Sequence, residues 1–304
     1  MDTPVALILF NRPETTARVF AAIRAAAPPR LLLIADGPRT GRPGEATLCQ
    51  ATRAVTDAID WPCQVERNFS DINLGCGRRL SSGLDWVFEQ VPEAIVLEDD
   101  CLPDPSFFAY CDELLAHYRD DERVALITGT SFRTVPMRTD DSYYFSRYPM
   151  VWGWASWRRA WRHYDFRLKS WPELKAGQWL DDLLDGPAAV RFWSRLFDRA
   201  AAGEIDTWDY QLVCALWAQS GLTIAPRANL VQNIGFGPDA THTTDAEDAG
   251  AHRTVEPIDL PLRHPSFVIR DALIDRALER TQFSGARGQR IRRRFDRLMR
   301  FKVG

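Results

Sequence analysis

Between residues 5 and 129 the chain repeats one pattern: a short aliphatic run, a turn rich in Gly or Pro, and a stretch with helical spacing. The runs are "VALILF" (5–10), "RLLLIAD" (30–36), "CQVERNF" (63–69), "AIVLED" (94–99) and "RVALITG" (123–129). Apolar runs alternating with helical patterns indicate a mostly parallel sheet covered on both faces by helices. Helices are predicted from Pro13 to the Pro28-Pro29 stop, near 45–59 and near 76–91. The expected fold class is therefore α/β, Rossmann-like, and no internal repeat interrupts it.

A chain of 304 residues with 45% hydrophobic content can bury a substantial core in one large domain or two fused lobes. Its net charge of -3 and pI near 6.0 exclude a general nucleic-acid binder, which shows a strongly basic balance. The six cysteines form no CxxC pair and read as free thiols of a reducing compartment. The apolar run Val5 to Phe10 is too short for a signal sequence or a membrane span of about 20 residues. A cytoplasmic location is expected.

Beyond residue 150 the character changes. Nine of the eleven tryptophans fall between Trp152 and Trp217, in a region that reads mainly as helices. The small, polar segment 237–253 reads as a long loop. Residues 285–304 carry eight Lys or Arg against one Asp, with Ile291, Phe295 and Leu298 at helical spacing. That pattern predicts a basic amphipathic helix, which either lies on the anionic inner face of the cytoplasmic membrane or stays solvated or packs on a partner subunit.

Ligands of parallel α/β sheets bind at the carboxyl ends of strands, so the polar residues there come first. Asn11-Arg12 follow the first run, Asp36-Gly37 the second, and Glu98-Asp99-Asp100 the fourth. Arg12 suits a phosphate and Asp36 a ribose or base, although turn and capping chemistry explains either residue alone. Three adjacent carboxylates repel one another, and a hard divalent cation would relieve them; an acidic surface turn is the competing reading. In "NLGCGRRLSSG", Gly75 and Gly77 precede a helix bearing Arg78 and Arg79, an arrangement that admits a phosphate but lacks a dinucleotide fingerprint. "VWGWASW" offers Trp152 and Trp154 either as sugar-stacking faces or as core. Asp209, in "DTWDYQL", is either a helix cap or a catalytic carboxylate, and His242 sits in the polar loop.

Taken in order, "LILFNRPETT", "IADGPR", "NLGCGRRLSSGLDW", "VLEDDCLPDPSFF", the Trp-rich middle and "TWDYQ" resemble the GT-A glycosyltransferases, over roughly residues 4 to 245. The similarity is to bacterial family-2-like enzymes and to GlcNAc transferases of the N-acetylglucosaminyltransferase I type. In that family a short acidic motif binds the metal that holds the sugar nucleotide's diphosphate. The resemblance implies Mn²⁺ or Mg²⁺ held by Asp100 and His242. It implies a nucleotide-sugar donor, with UDP favoured over GDP, bound by Phe10, Asn11, Arg12, Asp36, Arg78, Glu98 and Asp99. It makes Asp209 the general base of an inverting transfer to a glycan or lipid-linked acceptor. The implied organisation is a nucleotide-sugar half (1–147), an acceptor-binding and catalytic half of the same domain (148–254), and a helical tail (255–304). A nucleotidyltransferase is the main rival, but it should carry a Gly-rich basic loop where this chain has "FNRPETT". A non-catalytic sugar-binding protein of the same fold would have no use for Asp209.

Overall fold

The computed structural model describes residues 1–235 and 253–284. Four parallel strands open the chain: β1 (Val5–Leu9), β2 (Arg30–Ala35), β3 (Gln64–Phe69) and β4 (Glu93–Glu98). They are linked by the helices α1 (Pro13–Ala26), α2 (Glu45–Val55) and α3 (Cys76–Gln90). After a short β5 (Cys101–Pro103) come α4 (Pro105–His117), β6 (Val124–Thr128), β7 (Tyr143–Ser146) and β8 (Trp154–Trp157). The Trp-rich region supplies α5 (Arg158–Trp161), α6 (Trp171–Ala176), α7 (Trp179–Leu183), α8 (Pro187–Ala201) and α9 (Asp209–Ala218). β9 (Leu222–Pro226), β10 (Val231–Asn233) and α10 (Ala272–Leu278) complete the described elements, and one π-helical turn (Glu279–Phe283) follows α10.

Eight strands form one sheet in the order β3-β2-β1-β4-β8-β6-β9-β7, with β10 and β5 paired separately. Only β8 and β7 run antiparallel to their neighbours, so the mostly parallel architecture is observed. Burial alternates along β1: Val5, Leu7 and Leu9 face a core with α1 and α4, while Ala6 and Ile8 face a core with α3 and α9. Coverage of both faces is why the strand reads as an unbroken apolar run. A third cluster around Trp193, Phe197 and Trp217 holds the helical region together.

The tryptophan segment departs from its helical reading. Residues 154–157 form β8, inserted between β4 and β6 near the middle of the sheet. The side chains alternate: Trp154 joins the α3 side, whereas Ala155 and Trp157 join the α4 side. Gly153 turns the chain into this strand at φ 63°, where any side chain would also meet Val231. Period two, hidden in a run of bulky aromatics, decides the element.

Among the described residues no helix is long and apolar enough to cross a membrane. His242 and the basic tail, 285–304, lie outside the described residues, as does all but the last residue of the polar loop at 237–253.

Candidate active site

The chain runs outward from β1 to β2 and β3, then crosses back to place β4 on the other side of β1. Such a reversal opens a crevice at the carboxyl ends of the two strands. β1 delivers Phe10, Asn11 and Arg12 there, β2 delivers Asp36, and β4 delivers Glu98, Asp99 and Asp100. The β1 and β4 groups are in direct contact. Asp99 Oδ2 accepts the Phe10 N–H at 3.0 Å, and Arg12 Nη1 lies 2.6 Å from Asp100 Oδ2 and 3.8 Å from Asp99 Oδ1.

One guanidinium thus faces three carboxyl groups. Burial, followed by the charges of Asp100, Asp99 and Asp209, pushes Glu98 well above the usual carboxylate range against the pull of Arg12. Burial and the charge of Asp100 push Asp99 up to about 7, opposed by Arg12 and the Phe10 N–H. Among the described residues the cluster is therefore short of positive charge. Asp209, 109 positions beyond Asp100 in sequence, is close enough to act on Glu98 electrostatically, so the fold brings these two carboxyl groups into one neighbourhood.

A cation suits this donor set in one specific sense. Among the described residues no group of three or more His, Cys, Asp or Glu side chains forms a ready metal cage. Mg²⁺ and Mn²⁺ that travel with a diphosphate do not need one, since one or two carboxylates plus substrate oxygens and water complete their shell. Gly235 keeps space open beside Asp100, where any Cβ would overlap the carboxylate. Asp100 with Asp99 fits a cation carried by substrate phosphates, in exchange for part of the Arg12 pairing.

Other expected residues are placed as follows. Asp36 is largely buried, and its oxygens accept the N–H groups of Gly37, Leu74 and Gly75 and the side-chain amide of Asn73. It holds the 73–75 turn against β2. Asn11 donates to Glu45 Oε1 at 3.0 Å, and Glu45 also pairs with Arg39, whose guanidinium sits 5.4 Å from the Phe10 ring centroid. Arg39 and Glu45 were not legible as site residues, because each belongs to a loop or helix start with an ordinary capping explanation. Arg78 is exposed on α3 and lines a cavity of about 400 Å³ with Ser81, Ser82, Asp85, Phe166 and Arg167, apart from the carboxylate cluster. Its neighbour Arg79 is buried and braces the sheet through Ala35 O and Asn68.

Two expectations are corrected. The N–H groups expected to meet a phosphate at the start of α3 are occupied: Gly75 N donates to Asp36 at 3.2 Å, and Cys76 N and Gly77 N donate to Asp206 at 3.0 and 2.8 Å. Trp154 is 1% exposed in a three-ring cluster with Trp161 and Trp208, whose centroids lie 6.3 and 5.8 Å from its own and 6.5 Å from each other, so it presents no face to a sugar. Trp152 is partly buried, 5.3 Å from the ring of Phe132.

The Trp154 stack has a consequence for the site. Trp208 is the residue that caps α9, and Asp209 follows it. Tyr164 donates to Trp208 O at 3.2 Å, while Thr207 Oγ1 and Tyr210 N both donate to Asp209 Oδ1. Asp209 Oδ2 has no hydrogen-bond partner among the described residues. A carboxylate held by one oxygen and open at the other is suited to accept a proton.

No family model matches the chain, and no curated protein matches it. Similar solved structures include the galactosyltransferase LgtC in complex with donor and acceptor sugar analogs, at 11% identity over 70% of each chain and a TM-score of 0.37. Residues 1–349 of TarS from S. aureus match at 9% identity over 76% of this chain and 59% of that one, with a TM-score of 0.39. CMP:2-keto-3-deoxy-manno-octonic acid synthetase complexed with CTP matches at 15% identity over 74% of this chain and 89% of that one, with a TM-score of 0.35. Likeness at this level carries no argument about activity.

Proposed function

We propose that this protein is a GT-A-type glycosyltransferase that moves a sugar from a nucleoside diphosphate sugar, such as a UDP-sugar, to an acceptor hydroxyl with inversion. The observation that carries this reading is that Asp209 lies near enough to Glu98, at the carboxyl end of β4 beside β1, to act on it electrostatically. Leaving-group charge and acceptor deprotonation are separate demands of the reaction, and the two groups of carboxylates divide them.

In this reading Phe10, Asn11 and Arg12 border the nucleotide, and Arg12 balances charge at the diphosphate. Asp100, with Asp99, would hold Mn²⁺ or Mg²⁺, which supplies Lewis-acid neutralisation of the departing diphosphate. Asp209 takes the proton from the acceptor hydroxyl through its open Oδ2, held in orientation by Thr207 and the Tyr210 N–H. Asp36 supports the donor side indirectly, by fixing the 73–75 turn.

A screen of nucleoside diphosphate sugars for thermal stabilisation, with and without Mn²⁺, tests the reading. A true donor at about 100 times its Kd stabilises by about 2.7 kcal/mol and releases nucleoside diphosphate on incubation. Stabilisation by nucleoside triphosphates alone, with no effect of any nucleoside diphosphate sugar, would overturn it in favour of a nucleotidyltransferase.

A further inference from the structure

We infer that the surface formed by residues 263–280 docks on an anionic lipid bilayer. Phe267 and Ile269 are 67% and 68% exposed, while Val268 between them packs on the core. Alternation of this kind puts the two exposed side chains on one side. The segment runs beside β7, the last strand of the sheet, where Arg270 bridges Phe145 and the Asp271 N–H donates to Phe145 O. α10 follows directly, and its outward residues are Leu273 and Arg276, with Arg280 one turn further on.

The charges are sorted by side. Between residues 260 and 284 the carboxylates are Asp271, Asp275 and Glu279. Asp271 caps α10 and pairs with Arg138, its side chain 11% exposed. Asp275 is fully buried against Ser146 and Arg147, and Glu279 accepts from Tyr148 and Trp193 inside the protein. Arg263, Arg276 and Arg280, by contrast, are exposed. The segment therefore exposes three large apolar side chains and three cations to solvent, with every carboxylate of the segment turned inward. Three exposed apolar side chains among polar neighbours are ordinary one at a time, but grouped with cations they match the interfacial zone of a bilayer. Acidic headgroups complement the arginines while the apolar side chains enter the headgroup boundary. Residues 285–304, with eight Lys or Arg against one Asp, continue the same sign of charge from the end of this surface.

Cosedimentation of the full chain with phosphatidylglycerol and phosphatidylcholine vesicles tests the inference. The intact protein is expected to pellet with phosphatidylglycerol, to release as salt rises and to ignore phosphatidylcholine. Replacing Phe267 and Ile269 together with Leu273 by Ser should reduce partitioning about tenfold, and the F267S/I269S pair alone should do so in part with the melting temperature unchanged, because those two side chains are 67% and 68% exposed. R276Q/R280Q should flatten the salt dependence. Equal pelleting of the triple Ser variant would overturn the assignment, as would failure of the intact protein to bind phosphatidylglycerol. A dimer that the triple variant dissociates, with vesicle binding unaltered, would assign the surface to self-association and likewise overturn it. None of these outcomes depends on transferase activity.

Discussion

Asp206 stands against Gly77: its Oδ1 accepts the Gly77 N–H at 2.8 Å while its Oδ2 accepts the Cys76 N–H at 3.0 Å. A carboxylate from a loop 130 positions away thus caps α3, where both orphan N–H groups and the helix dipole favour a negative charge. A Cβ at Gly77 would meet Thr207 O and Asp206, so the glycine is what lets the loop approach. Because Asp206 and Asp209 share this loop and the first turn of α9, the cap also locates the proposed base. Asp206→Ala is expected to cost about 1 kcal/mol of stability. In transfer assays kcat should fall while donor affinity holds, and Gly77→Ala should reproduce the defect from the other side of the contact. An unchanged kcat in both variants would separate the cap from catalysis.

Removing the base itself should act more sharply. Asp209→Asn keeps an acceptor oxygen for Thr207 and Tyr210 but cannot take a proton, so transfer should fall about 10²-fold or more. Calorimetry with the donor should give an affinity close to that of the unaltered protein. Equal loss of donor affinity and rate would move Asp209 from base to donor contact.

Among the described residues Arg12 is the charge that opposes burial at Glu98 and Asp99. Arg12→Gln leaves those carboxylates without their guanidinium and should lower the melting temperature. If Asp100 accepts a cation, Mn²⁺ should then restore the variant by more degrees than it adds to the unaltered protein, since the same charge deficit is larger. A melting temperature indifferent to Mn²⁺ in both proteins would count against a metal at Asp100.

These relationships differ in how far the sequence could carry them. β1, β2, β4 and β6 were readable because each is covered on both faces and so appears as an unbroken apolar run. The convergence of Arg12 and Glu98–Asp100 followed from the rule that parallel strands present their carboxyl ends together. The Asp206 cap was not readable, because the contact spans 130 positions and neither "NLGCG" nor "EIDTWD" carries a local mark of its partner. β8 was obscured by composition: four tryptophans in ten residues hide the alternation of Trp154 against Ala155 and Trp157 that seats the strand between β4 and β6. Asp36 was placed correctly at a strand end, yet its hydrogen bonds show it engaged with the neighbouring turn.

Trp154 separates core from acceptor recognition. It is almost wholly buried against Trp161 and Trp208, so Trp154→Ala opens a cavity and should cost about 3–5 kcal/mol, visible as a lower midpoint in denaturant. Its loss should also loosen Trp208 and hence the start of α9. Trp154→Phe, which retains most of the packing, should recover activity with the acceptor KM unaltered. A raised acceptor KM at full stability would return Trp154 to the binding surface.

The histidine pair beside α4 gives the protein a pH dependence of definite sign. His117 stacks on His264 with ring centroids 4.1 Å apart, and His264 in turn contacts Tyr143 OH at 2.8 Å and Glu113 at 3.1 Å. Burial, then the charge of His264, holds the His117 pKa below its ordinary 6.5, against the opposing pull of Glu113. The folded state therefore favours neutral His117, whereas the unfolded chain protonates it near the ordinary value. The resulting stabilisation is fully present above that value and is lost as pH falls through the lower folded pKa. Melting temperatures measured from pH 8 to pH 5 should decline on the acid side, and His117→Asn should flatten that decline while leaving the contacts of Glu113 with Leu262 and His264 intact. An identical acid-side slope in the variant would place the titration elsewhere in the molecule.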